Sequence, residues 1–60
     1  MTRKQVLELL DKLGIDNIVY EDIKYYLRAN GWKLKDITDI QYCDPYHCIL
    51  EVNNIVVGYI

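Results

Sequence analysis

The chain is short of most things that announce a function. It has no phenylalanine, one proline, three glycines, one histidine and two cysteines in 60 residues. A lone His and two Cys fall short of the four ligands that a structural zinc site takes from one chain. Cations are in deficit: seven Lys and Arg face nine Asp and Glu, a net charge of −2. That balance excludes a strongly basic nucleic-acid binder and a polybasic membrane binder. No apolar run approaches the roughly 20 residues needed to cross a bilayer. Met1-Thr2-Arg3-Lys4-Gln5 is followed by no apolar stretch of signal-peptide type, so a cytoplasmic chain is expected. Repeats, linkers and low-complexity tracts are also missing. Hydrophobic residues nevertheless make up 52% and charged residues 27% of the chain, the composition of one small globular domain. A domain of this size buries only about 60% of its unfolded surface, so its stability is thin.

The first half has helical periodicity. Thr2 and Gln5 form a capping-box pattern, and Val6, Leu9, Leu10 and Leu13 recur at i, i+3, i+4 and i+7. Leu7 widens that stripe. Gly14 supplies the left-handed stop, and Ile15 is placed to fold back on the last turn. These features predict a first helix over about 3–13. Asp16 and Asn17 are competent caps for a second helix, although Ile18 and Val19 allow its first turn to begin later. Glu21 and Asp22 suit the positive end of that helix, and Arg28 its negative end. Val19, Ile23, Tyr26 and Leu27 are its expected buried stripe, and Asn30-Gly31 its stop.

From Trp32 the period changes to that of strands. The expected segments are about 33–43, 47–52 and 55–60, punctuated by Asp44-Pro45-Tyr46 and by Asn53-Asn54. Asn tolerates the positive φ of a type I′ turn, so the second break reads as a tight hairpin. The fold class is therefore α+β: a two-helix hairpin on one face of a three-stranded antiparallel meander, α-α-β-β-β. A regular hairpin at Asn53-Asn54 pairs Val52 with Ile55, Leu50 with Val57 and Cys48 with Tyr59, an apolar face throughout. His47, Ile49, Glu51, Val56, Gly58 and Ile60 then share the other face. Leu34, Ile40 and Tyr42 are expected on the core face of the first strand. An even loop over 44–47 would put Asp39 and Gln41 there instead. An odd loop or a bulge is thus expected at that turn, because a slip of one residue exchanges the faces.

Cys43, Asp44, His47 and Cys48 are close in sequence. Neighbouring strand residues point to opposite faces, which separates His47 from Cys48 and argues against a metal site. A Cys43–Cys48 disulfide needs the loop that parity disfavours, so Cys48 reads as a small core residue and Cys43 as a rim thiol. All chemistry-bearing groups lie in one short turn, and a domain this small has little room for a cleft; no enzyme activity and no cofactor are expected.

Two functional readings follow. In the first, the protein acts by contact with another protein, as an inhibitor or adaptor of the kind phages and mobile elements encode; that comparison rests on size and composition. The six tyrosines each favour an apolar body with a wet end, and tyrosine is enriched at binding hot spots. Tyr20, Tyr25 and Tyr46 are the expected exposed ones. The last strand, Ile55-Val56-Val57-Gly58-Tyr59-Ile60, has no charge and no proline, while the first carries Lys33, Lys35, Asp36 and Asp39. A neutral β-branched strand on an open edge invites pairing with a partner's strand or a second copy, a homodimer being the expected assembly. In the second reading, residues 3–30 form a DNA-binding helix–turn–helix joined through Gly14. The carboxylates at 16, 21 and 22 on the would-be reading helix oppose phosphate, so nucleic acid is the lesser expectation.

Overall fold

The computed structural model describes all 60 residues. Two helices, α1 (Arg3–Leu13) and α2 (Val19–Ala29), precede a short 3₁₀ turn (Leu34–Asp36). Three strands follow, β1 (Ile37–Asp44), β2 (His47–Val52) and β3 (Ile55–Tyr59). The sheet is antiparallel with the order β1-β2-β3. Both helices lie on one face of it, α1 over β1 and α2 over β2. The α+β expectation is met.

Local chemistry accounts for the element ends. The Gln5 amide donates to Thr2 Oγ1 at 3.1 Å, and the Thr2 amide donates to Gln5 Oε1 at 2.8 Å. This reciprocal cap starts α1 at Arg3. Gly14 at φ 79° stops it, with the Ile15 amide returning to the Leu10 carbonyl and the Gly14 amide to that of Asp11. That double closure buries Ile15. α2 has no side-chain cap. Asp16 instead accepts from the Ile18 amide in a local turn, which delays the helix to Val19. The stop at Gly31 repeats the stop at Gly14: the Trp32 amide bonds to the Leu27 carbonyl and the Gly31 amide to that of Arg28. Asn53 and Asn54 both have positive φ, as a type I′ turn requires. Residues 34–36 coil into the 3₁₀ turn because the Lys33 amide bonds to Asp36 Oδ2, so β1 starts at Ile37, later than the expected 33.

The core joins Val6, Leu10 and Ile15 to Val19, Tyr20, Ile23 and Leu27, and closes on Ile37, Ile40, Cys48, Leu50 and Val52. Leu9, Leu13 and Leu34 only flank it. Tyr42 faces the core side opposite Cys48, yet it lies beyond the helices and is exposed. Tyr20, expected at the surface, is buried at 4% exposure. It is spaced i, i+3 and i+7 with Ile23 and Leu27, which places it on the sheet-facing stripe.

Both pairings of the central strand are interrupted. Between β1 and β2 the register steps over Cys43: Tyr42 faces Cys48 and Asp44 faces His47. This is the bulge that the apolar parity demanded. A second step, at Thr38, separates Ile37 from Asp39. Between β2 and β3 the register steps over Val57, so Leu50 faces Gly58 and Ile49 faces Tyr59. Cys48 and Ile60 exchange backbone bonds of 3.0 and 2.8 Å. The expected pairs Leu50–Val57 and Cys48–Tyr59 are therefore replaced. Gly58 and Ile60 turn to the core face, and Tyr59 turns outward.

Candidate functional site

The bulge decides what β3 displays. Ile55, Val56 and Tyr59 are 65%, 56% and 64% exposed. Val57 and Ile60 remain half-buried against the core, and Gly58 lies beneath Tyr26. Tyr26 Oη donates to the Val57 carbonyl at 2.7 Å, which fixes the bulged residue to α2. A Cβ at Gly58 would lie 2.5 Å from that oxygen and 2.7 Å from Tyr26 Cζ, so glycine is required for the ring to lie there.

The edge of β3 away from β2 is open. Backbone groups in an antiparallel pair alternate between facing the partner and facing away. Ile60 bonds Cys48, so Tyr59 directs its N–H and C=O outward. The same alternation from the turn-closing pair Val52–Ile55 directs those of Val56 outward. Because Val57 is absorbed in the bulge, Val56 and Tyr59 are consecutive outward-facing positions, both on the outer face of the sheet.

Tyr59 is also braced. Its ring stacks on His47, with centroids 5.6 Å apart and planes 13° from parallel. His47 Nδ1 donates to both Asp44 oxygens at 2.8 and 2.9 Å. Asp44 accepts from the Tyr46 amide as well. These bonds, the Tyr46 amide first and the His47 side chain next, hold the Asp44 carboxyl below its ordinary range. The Cys43 side chain, by hydrogen bonding and then by charge, pushes the Tyr59 phenol up. Cys43, Asp44, His47 and Tyr59 thus form one polar cluster at the end of the outer sheet face.

The tyrosines chosen from sequence do not form one patch. Tyr46 occupies the β1–β2 turn, at the same end as Tyr59 and next to His47. Tyr25 is 75% exposed and lies on α2 outside the buried Val19, Ile23 and Leu27 stripe. Tyr20 is withdrawn from the site by its burial. Its ring carries the Arg3 guanidinium at 5.5 Å and the Lys24 ammonium at 5.4 Å. Sequence reasoning missed His47 as a support for Tyr59, since only the bulge brings Tyr59 to that face.

No three His, Cys, Asp or Glu side chains converge where a metal could be held. Both cysteines are free, Cys48 in the core and Cys43 at the surface. Burial pushes the Cys48 thiol up to about 11. Glu21 and Asp22 are exposed on the first turn of α2, the segment that a helix–turn–helix would offer to DNA. No helix is long and apolar enough to cross a membrane. Compared with protein-family models, curated proteins and solved structures, the chain matches none.

Proposed function

We propose that the protein is a small cytoplasmic interaction module that works by strand pairing along the open edge of β3, and that its first partner is a second copy of itself. The observation that carries this reading is the exposure of Ile55, Val56 and Tyr59 on an edge without charge. Two-fold antiparallel pairing sets Val56 of one copy opposite Tyr59 of the other. The outward backbone groups at both positions then find partners, and each Tyr59 ring lies beside a β-branched neighbour. The symmetry is closed, since the same four-residue segment serves both sides. Self-pairing meets no like-charge repulsion, because the segment is neutral. An exposed Cys43 thiol suits a reducing compartment. An inhibitor or adaptor role uses the same surface, with a target's strand replacing the second copy.

Equilibrium sedimentation from micromolar to several hundred micromolar tests the self-pairing. The wild type is expected to reach a dimer and Val56→Lys to stay monomeric with an unchanged circular dichroism spectrum. A wild type that remains monomeric throughout, or a Val56→Lys protein that dimerises equally well, overturns the proposal.

A further inference from the structure

The protein is acidic overall, yet its one concave region is cationic. A groove of about 410 Å³ opens beside the C-terminal half of α2. Lys24, Arg28 and Lys33 line it, Leu27 and Leu34 give it an apolar floor, and Trp32 forms a wall. No carboxylate lines it. The Gly31 stop places the wall: the Trp32 amide closes onto the Leu27 carbonyl and turns the chain back at the helix end. Tyr26, 6.3 Å from Trp32 between ring centroids, supports it from behind. The Gly31 and Trp32 amides occupy the Arg28 and Leu27 carbonyls, and the Asn30 amide and side chain occupy that of Tyr26, which blunts the negative end of the helix.

The cations are available. Arg28 and Lys33 take part in no ion pair, and Lys24 has only a loose contact with Glu21 at 3.9 Å. The Asp36 carboxylate near Lys33 is occupied by the Lys33 backbone amide. Three of the seven cations thus line one groove of a molecule of net charge −2. A planar guanidinium, two ammonium groups and an indole wall suit a ligand with an aromatic ring at one end and an anionic group at the other. The groove is open, so one side of a bound ligand would stay in water.

We infer that this groove binds a planar aromatic anion of mononucleotide size, its ring against Trp32 and its phosphate between Arg28 and Lys33. No residue of β3 lines the groove, so the site is separate from the pairing edge. Trp32 is the sole tryptophan and reports occupancy directly.

The test is titration of Trp32 fluorescence with adenosine and uridine monophosphates, repeated with adenosine, with inorganic phosphate and with a short single-stranded oligonucleotide. Saturable submillimolar quenching by the monophosphates is expected. Charge reversal, Arg28→Glu, is expected to weaken it roughly tenfold or more, the effect of losing a charge-assisted hydrogen bond. Arg28 is exposed and Trp32 half-buried, and circular dichroism verifies that the variant folds. Absence of saturation at millimolar nucleotide, equal binding of uncharged adenosine, or an unchanged affinity in Arg28→Glu overturns the assignment. Inorganic phosphate competing as well as the nucleotides removes the aromatic half of it. An oligonucleotide binding more than roughly tenfold tighter overturns it in favour of a nucleic-acid strand.

Discussion

Of the three register steps along β2, those at Cys43 and Val57, one on either side of it, solve opposite problems. The one at Cys43 lies at a tight turn and keeps the core residues of two strands on one face: Tyr42 and Cys48 stay in register, and the surplus residue goes to solvent. The one at Val57 lies within a strand and is held from outside it, by a tyrosine hydroxyl on α2. The first conserves alternation across a hairpin. The second changes what the strand offers, since it sends Gly58 beneath an aromatic ring and Tyr59 to the surface. Bulges and inward charges both blunt sheet edges. β1, which begins only at Ile37, keeps Asp39 and Asp44 but none of the lysines, while the bulge in β3 confines its open edge to Val56 and Tyr59 as a short pairing segment. The bulge thus shortens the pairing edge of β3 without closing it.

The largest effect is expected from filling the space at Gly58. Gly58→Val places side-chain atoms where Tyr26 lies and should destabilise the fold by about 1–3 kcal/mol, the usual penalty of overpacking. For a domain of this size that is a fall in Tm of roughly 5–20 °C. Scanning calorimetry or urea titration reads it. In a Tyr26→Ala background the same substitution should lose most of its penalty, because the obstructing ring is gone. A penalty unchanged in that background would show that the bulge does not depend on Tyr26.

A smaller effect is expected from Tyr26→Phe. The ring keeps its packing on Trp32 and Gly58, and only the bond to the Val57 carbonyl is lost. The expected loss is about 1 kcal/mol in urea titration. Amide exchange should quicken at Val57 and Gly58 while β1–β2 amides keep their protection, which separates the two bulges. Equal quickening on both sides of β2 would mean that they are not independent.

Which of these features the sequence carried follows from the range of the interactions that set them. Thr2 with Gln5, Gly14 with Ile15, Asn30 with Gly31, and Asn53 with Asn54 each settle a chain direction within a few residues, and all are legible. The Cys43 bulge is also legible, because the alternative puts Asp39 and Gln41 against the helices. The Val57 bulge is not. Its unbulged alternative pairs Leu50 with Val57 and Cys48 with Tyr59, which is equally apolar, so alternation gives no preference. The deciding contact, Tyr26 to Val57, spans 31 residues. Tyr20 was legible in principle from its spacing with Ile23 and Leu27. Treating tyrosine as a surface residue hid it. The cationic groove escaped because its lysines and arginine are spread from 24 to 33 and meet only where the chain folds back at Gly31.

The smallest effect concerns the thiols that the first bulge separates. Cys48 is buried and its pKa is raised from 9.0 to about 11, by burial first and then by the charges of Cys43 and Asp22. The unfolded chain therefore releases this proton at lower pH than the folded one. The contribution to stability is complete below pH 9 and is lost as pH rises through the interval up to about 11. Cys48→Val, which has no proton to lose, should flatten that part of the alkaline stability profile. Labelling with a thiol reagent at pH 8 provides the direct comparison. Cys43 should react at once and Cys48 only as fast as the sheet opens, with both reacting together in urea. If Cys48 were labelled as quickly as Cys43 in the folded protein, the two residues would not lie on opposite sides of the sheet, and the step in register at Cys43 would be wrong.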